Sequence, residues 1–339
     1  MRAAYAARFD DADPLSALDV GEVPDPDPEP GWVTVSIRAA ALNHHDLWSL
    51  RGVGLRADQL PMVLGCDAAG TGPDGAEVVV YPVIGDDLPT ATILSEKFPG
   101  TLAERVAVPA ANLVPKPPEL TFAEAACLPT AWLTAYRMLT TVGGVGKGST
   151  VLVQGAGGGV ATAAVAIGTA LGATVYATSR APEKRARAES LGAVAVEPGA
   201  RLPERVDVVL ETVGEATFDH SVKSLKPGGR LVVSGATSGH LPKLDLRRVF
   251  FHHLSVLGTS MGTRDELAAL LALCAETGLR PIIDHTYPFA QVRDAFAHLA
   301  AGEAFGMVVL EFGPGRPPAV NRRAGGTHGV SGRRRPGRR

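Results

Sequence analysis

The sequence is short of cysteines, aromatics and any opening apolar run, and each shortage removes a class of protein. Its 339 residues include three cysteines, Cys66, Cys127 and Cys274, none close to another. That spacing suits neither a disulfide framework nor a zinc ribbon. The opening Met-Arg-Ala-Ala-Tyr lacks the apolar core of a secretion signal, so a cytoplasmic location is expected. Residues 148–179 contain no Asp, Glu, Lys or Arg, which raises the question of a membrane span. Their apolar content is mostly Ala, Gly and Val, however, interrupted by glycines at 157, 158, 159 and 172. A buried strand, helix and strand fit that composition better, and no membrane partner is expected.

Acidic residues are missing beyond Phe312, where eight arginines follow without Asp, Glu or Lys. Residues 1–312 therefore hold 25 of the 33 basic residues against all 35 acidic ones, a net charge of about −10. A stretch of Gly, Pro and Arg has too little apolar surface to pack, so 313–339 is read as a disordered Arg-rich tail. Loose basic tails bind polyanions weakly and without sequence preference. A dispensable extension is the preferred reading over a nucleic-acid tether, and no specific nucleic-acid partner is expected.

What remains, 45% hydrophobic and 20% charged overall, suits a globular protein of two domains. Residues 1–122 read as β-rich: 33–37 alternates, 77–81 is an apolar run, and 103–108 ends before Pro109. Proline- and glycine-rich turns separate them. At Thr121 a capping box with Glu124 opens an apolar helix expected to run to about 139. Short strands and helices then alternate. Strands fall at 150–154, 174–178, 194–196, 206–210 and 230–234, and helices at 160–171, 182–191 and 215–225. A helix at 291–300 and a strand at 307–310 close the pattern. The expectation is an α/β fold with a doubly wound parallel sheet in 123–284. Beside it stand a β-rich, barrel-like domain in 1–122 and a return segment in 285–312. Nine residues separate 196 from 206, too few for a covering helix. In a sheet ordered 3-2-1-4 that link crosses about 14 Å, and nine extended residues reach about 30 Å. A bare loop suffices.

The most informative segment is Val-Leu-Val-Gln followed by Gly155, Ala156, Gly157, Gly158, Gly159, Val160 and Ala161, where a strand turns into a helix. Glycines there let the backbone approach a pyrophosphate, and the helix N-terminus offers free N–H groups. Ala161 takes the place of the third glycine. The next strand ends at Ser179 and Arg180, with Lys184 four residues on. An NAD enzyme places a carboxylate there for the ribose 2′-hydroxyl. With none present, Ser179, Arg180 and Lys184 point to a 2′-phosphate and to NADPH.

Further segments join the glycine turn: Asn43-His44-His45-Asp46 with Arg51-Gly52, the run from Leu64 through Cys66 and Asp67 to Gly70, and that from Leu128 to Tyr136. Glu211-Thr212-Val213-Gly214, Pro227-Gly228-Gly229 and Phe305-Gly306-Met307 complete the set. Together they resemble the medium-chain dehydrogenase/reductase superfamily over residues 1–312, and within it the zinc-independent, quinone-oxidoreductase-like branch. The resemblance implies a Rossmann domain beside a split GroES-like catalytic domain, with the cofactor cleft between them and hydride transfer from the nicotinamide C4. It implies that Thr134 touches the nicotinamide, that Val213, Ser234, Gly235 and Ala236 line its pocket, and that His44 meets the cofactor phosphates. His45 stands where relatives carry a proton-relay hydroxyl. The strand at 254–258 would pair edge to edge in a possible homodimer, as in relatives. The branch commonly has Gly-Lys where this chain has Gly306-Met307.

By the same matching, the catalytic zinc ligands of relatives appear as Asn43, Cys66 and Thr130, and the lobe holding a structural zinc contains no cysteine. One soft donor remains where zinc needs three or four, so no metal is expected. Cys66 with His44 or His45, joined by Asp46 or Asp67, is the residual metal reading. The candidate catalytic residues are Asn43, His45 and Asp46, with an amide donor and an imidazole acting on a carbonyl oxygen. A quinone or α,β-unsaturated ketone needs little more, whereas a simple alcohol needs its pKa lowered by a metal. The expected activity is NADPH-dependent reduction of such a small molecule. A zinc-dependent alcohol dehydrogenase with atypical ligands and a non-catalytic NADPH-binding sensor remain open. Trp48, Trp132 and Tyr136 are candidates for an apolar pocket wall.

Overall fold

A computed structural model describes residues 1–85 and 88–313; the expectation of a disordered tail lies outside the described residues. Among these, no helix is long and apolar enough to cross a membrane. Six parallel strands form one sheet in the order Val194–Val196, Thr174–Thr178, Thr150–Val153, Val206–Glu211, Leu225–Val233 and Ser255–Gly258. This is the 3-2-1-4 arrangement extended to six strands, and the nine residues between Val194–Val196 and Val206–Glu211 cross it without a helix. The helix Gly159–Ala170 packs against the sheet with an unbroken buried run from Ala161 to Gly168. Alanine and glycine dominate because backbone lies close on both sides, not because a lipid faces them.

The β-rich part is organised by the strand Trp32–Leu42, which pairs antiparallel with Asp67–Thr71, Arg105–Pro109 and Met307–Glu311. The expected 33–37 alternation covers half of it. Beyond Arg38 the run Ala-Ala-Ala-Leu is buried on both faces, so no alternation marks it. Met307–Glu311 also pairs parallel with Ile283–Pro288, so the end of the described chain returns to the sheet that its beginning builds.

Several elements depart from expectation. The helix opening at Thr121 is not continuous: Phe122–Ala126 and Leu133–Arg137 are separated and followed by wide π-type turns, Leu128–Trp132 and Met138–Val142. Pro129 sits in the first of these, where a missing N–H and a ring clash prevent regular helix. The helix expected at 215–225 is confined to Phe218–Ser224, and its strand begins at Leu225. Arg264–Thr277 adds a helix with a Thr263–Glu266 capping box and a left-handed Gly278 at its end.

Candidate active site

The glycine turn is fixed by close approach on three sides. A Cβ at Gly155, whose φ is +77°, would lie 2.9 Å from Val213 Cγ2, and one at Gly159 would lie 2.5 Å from Met307 Sδ. Lys184 crosses the turn 2.9 Å from the Cβ position of Gly157, and the Gly306 N–H donates to the Gly157 carbonyl at 2.8 Å. Gly158 differs, with nothing within 4 Å of a Cβ placed on it. It is the N-cap of Gly159–Ala170, and no side chain caps that helix. Open space beside Gly158 and a positive dipole end without a side-chain cap fit a pyrophosphate.

Beneath the turn runs a chain of side-chain hydrogen bonds. The Gly155 N–H donates to Thr178 Oγ1 at 3.1 Å, Thr178 donates to Gln154 Oε1 at 2.7 Å, and Gln154 Nε2 donates to Ser221 Oγ at 2.9 Å. Ser221 donates to the fully buried Glu211 at 2.6 Å, and Glu211 also accepts from Val213 N–H, Gly214 N–H and the Thr217 hydroxyl. The turn is thereby tied to the ends of the two neighbouring strands. Ser234, Gly235 and Ala236 pack on the same bend: Ser234 N–H donates to Glu211 O at 3.0 Å, and a Cβ on Gly214 would lie 3.0 Å from Ala236 Cα. Gln154 and Glu211 were not among the expected site residues. A polar residue closing an apolar strand was the available signal.

At the end of the second strand, Ser179 is buried and Arg180 exposed. The Arg180 guanidinium has no partner among the described residues. Lys184 does not belong with them: its ammonium donates to the Gly302 carbonyl at 2.7 Å and to that of Ala304 at 3.0 Å. Those bonds fasten the helix Pro182–Ser190 to the return segment, and burial lowers the Lys184 pKa. Val160 opens the helix Gly159–Ala170, half-buried. His44 is exposed, and its pKa is lowered by the surrounding protein and then by the Lys184 charge, which places it on the same side as the turn.

The catalytic half is held by the helix His44–Leu50. Asp46 is fully buried and accepts from the Asn43 N–H at 2.8 Å and the Gly65 N–H at 3.0 Å. Both its oxygens hold backbone, so its place is structural rather than that of a mobile proton carrier. Asn43 spends one amide N–H on Asp67, at 2.8 Å, and is not the wholly free donor expected. Burial pushes the Asp67 carboxyl up to about 7, against the pull of Thr130 and Asn43. Asp67 Oδ1 and Thr130 Oγ1 are both buried without a well-aligned hydrogen bond. Thr130 adjoins Ala131, whose Cβ lies 3.1 Å from the Cβ position of Gly159, so this cluster backs onto the glycine turn. Thr134 is buried on Leu133–Arg137, one helical turn further. Trp132 is wholly buried core, and Trp48 lies partly exposed under Arg51. Tyr136 is half-buried.

His45 lies between two partners, with Nε2 3.2 Å from Glu96 Oε1 and Nδ1 3.6 Å from Cys66 Sγ. Burial opposes its charge, yet Cys66 and the Glu96 and Asp46 carboxylates outweigh burial and raise its pKa. Burial raises the Cys66 thiol, which donates to the Leu94 carbonyl at 3.3 Å. Among the described residues, no three His, Cys, Asp or Glu side chains are placed to hold a metal. Asp46 and Asp67 are spent on hydrogen bonds, and the Cys66 thiol donates to the Leu94 carbonyl. The donor set does not fit a tetrahedral zinc.

Residues 159–276 match the zinc-binding dehydrogenase family and residues 29–118 the alcohol dehydrogenase GroES-like domain. The chain is 30% identical over 322 residues to acryloyl-coenzyme A reductase of Metallosphaera sedula, covering 86% of this chain and 96% of that protein. It is 31% identical over 327 residues to the spectinabilin polyketide synthase system protein NorB of Streptomyces orinoci, covering 89% of this chain but 14% of that protein. Among solved structures, an NAD-dependent alcohol dehydrogenase superposes with a TM-score of 0.84 at 35% identity, covering 92% of this chain and 100% of the other. A cobalt- and zinc-bound thermostable alcohol dehydrogenase from Pyrobaculum aerophilum gives 0.83 at 31%, covering 92% and 99%. The 2-octenoyl-CoA carboxylase reductase CinF, in complex with NADP and 2-octenoyl-CoA, gives 0.84 at 25%, covering 92% and 87%.

Proposed function

The chain belongs to the medium-chain dehydrogenase/reductase superfamily, and from that premise we propose an NADPH-dependent oxidoreductase that reduces an α,β-unsaturated carbonyl compound or quinone without metal. The observation that carries this reading is the buried cluster in which Asn43 donates to Asp67 beside Thr130. Asn43 and Thr130 stand at two of the positions where a metal-dependent relative would gather ligands, and Cys66 at the third. The likeness to an acryloyl-coenzyme A reductase and to the 2-octenoyl-CoA carboxylase reductase CinF supports an activated double bond, and enoyl thioesters join enones and quinones as the substrate class.

The nicotinamide cofactor, when bound, supplies a hydride. The glycine turn and the uncapped helix N-terminus would hold its pyrophosphate, with His44 beside them. Ser179 and Arg180 would hold a 2′-phosphate, and the absence of a carboxylate at that strand end leaves nothing to repel it. Asn43 retains one amide N–H for the oxygen of a polarised carbonyl. His45, whose pKa its neighbours Cys66, Glu96 and Asp46 raise against burial, is the proton donor. A simple alcohol is a poor substrate for this set, since nothing in it lowers a hydroxyl pKa.

The test follows oxidation of NADPH and of NADH with a panel of enones, quinones, enoyl thioesters and aldehydes, with and without chelator. Preference for NADPH and for conjugated substrates, insensitive to chelator, is the expected result. Equal use of NADH undoes the Arg180 assignment. Stoichiometric zinc that tracks activity overturns the metal-free reading, and tight NADPH binding without turnover favours a sensor.

A further inference from the structure

We infer that Arg187 is a positioning residue for the reduction: it holds the return segment on the glycine turn and so sets where Asn43 stands relative to a bound cofactor. This rests on the reading above, in which Asn43 meets the substrate oxygen. Arg187 follows Lys184 by three residues on the helix Pro182–Ser190, so the two side chains leave the same face. Its Nη1 donates to Asp284 Oδ1 at 2.8 Å, and its Nη2 to the Phe305 carbonyl at 3.4 Å. The guanidinium also lies 4.4 Å from the centre of the buried Phe305 ring, a favourable place for a cation. One side chain thus holds both parallel strands of the return segment, Ile283–Pro288 through Asp284 and Met307–Glu311 through Phe305 just before it. The other Asp284 oxygen faces His298 Nε2 at 3.2 Å, so the carboxylate is held from behind as well.

From Phe305 the path to Asn43 is short and hydrogen-bonded. The Gly306 N–H donates to the Gly157 carbonyl at 2.8 Å, and the Met307 N–H to the Ile282 carbonyl at 2.8 Å. A Cβ on Gly306, whose φ is +107°, would collide with that Ile282 carbonyl, so the segment has no slack there. Val308 pairs with Leu42, and Asn43 is the next residue, closing the strand Trp32–Leu42 and opening the helix His44–Leu50. A single residue, Met307, therefore separates the bond on the glycine turn from the register that ends at Asn43. A β-ladder keeps position because any slip breaks its bonds together, and hydride transfer needs its reacting atoms held at about 3–3.5 Å.

The Arg187 side chain is about half-exposed. An ion pair in that setting contributes little to stability, so the fold stands without it. Lys184 reaches the glycine turn itself, whereas the contacts of Arg187 are to Asp284 and Phe305. Loss of Arg187 should therefore leave the cofactor bound and misplace what faces it.

The experiment compares the protein with Arg187→Ala, Arg187→Lys, Asn43→Ala and the double variant Arg187→Ala/Asn43→Ala in NADPH-driven reduction of enones and enoyl thioesters. Arg187→Ala should lower kcat about 10- to 100-fold, the scale of a small misplacement, with NADPH affinity in a fluorescence titration nearly unchanged. Arg187→Lys, which keeps a charge for Asp284 and the ring, should recover part of the loss. In the Asn43→Ala background the same Arg187→Ala change should cost almost nothing, because the group it positions is gone. Equal losses in both backgrounds would overturn the inference, as would an effect confined to NADPH affinity. Should Arg187→Ala fail to fold, Arg187→Lys in the two backgrounds decides the same question. A second arm needs no turnover: hydrogen exchange of residues 38–43 and 302–310, with and without NADPH. Cofactor on the turn should slow exchange in both segments of the unaltered protein and no longer in 38–43 of Arg187→Ala; persisting protection there would overturn the inference. If no substrate of the panel is reduced, the proposed function fails while the exchange arm still decides the role of Arg187.

Discussion

Arg180→Ala removes a guanidinium that has no partner elsewhere among the described residues, at the end of the strand Thr174–Thr178 where the adenosine ribose of a bound dinucleotide would lie. Its neighbours offer no replacement. Lys184 has two of its three donors on the Gly302 and Ala304 carbonyls. Arg185 donates to the Ser179 and Arg180 carbonyls and pairs with Glu197 at 3.2 Å. A charge-assisted hydrogen bond contributes about 1.5–3 kcal/mol, and solvent screening at this exposed site takes the lower part of that range. NADPH affinity should therefore fall about 10- to 30-fold, while NADH, with a hydroxyl in place of the phosphate, loses almost nothing. Fluorescence titration of both cofactors against both proteins measures this directly. Repeating it at high salt should narrow the preference of the unmodified protein, because screening acts on the phosphate contact. Equal weakening of both cofactors, or of neither, would refute the reasoning, since each outcome removes Arg180 from the 2′-position.

Three other perturbations separate neighbouring roles. Lys184→Met should weaken NADPH and NADH by the same factor and lower the unfolding midpoint, because it loses bonds to the return segment rather than a phosphate contact; an altered NADPH preference would contradict this. Gly155→Ala combines a left-handed φ with a 2.9 Å approach to Val213, so both cofactors should bind at least tenfold more weakly, given a strain of roughly 1–2 kcal/mol before any clash. Adding Val213→Ala should restore part of that loss but not all, because the backbone strain remains. Asp67, pushed up to about 7 by burial, lies above its unfolded value near 4. The native state therefore keeps a proton that the unfolded chain has released. The associated stability is fully present below about pH 4 and is lost as pH rises through about 7, on the order of 4 kcal/mol. Asp67→Asn should remove that slope in urea unfolding measured across the range, and parallel slopes in both proteins would count against a buried, proton-holding Asp67.

The parallel sheet was legible because its signals are local. Thr174–Thr178 and Val194–Val196 are apolar runs closed by turns, and Pro182 and Gly192 bracket their helix. The strand beyond Arg38 was not, because burial on two faces erases alternation and the strand that covers it comes from residues 307–311. Arg264–Thr277 did carry readable signals, with Leu267, Leu270, Leu271 and Cys274 buried on one face behind a capping box. In the site, the glycine turn and Arg180 followed from residue type and spacing. Lys184 did not, since only the fold brings the carbonyls of 302 and 304 to its ammonium. Glu96 lies 51 residues from His45, and no local pattern joins them.

The cluster around Asp67 shows how two of those positions, Asn43 and Thr130, can serve a different chemistry. Metal ligands must be stripped of protons and aim lone pairs at one point. Asn43 and Thr130 instead carry N–H and O–H donors, and the group between them is a carboxyl with one oxygen accepting from Asn43. Such donors suit an oxygen that gains negative charge, because they stabilise it without having to reorganise. Asp67 competes for them as a carboxylate and competes less once protonated. A carboxyl pushed to about 7 therefore couples donor availability to pH near neutrality. Activity that depends on both donors should fall on the alkaline side, in a step that Asp67→Asn removes. An alkaline limb unaffected by Asp67→Asn would mean that the Asn43 and Thr130 donors do not meet the substrate oxygen.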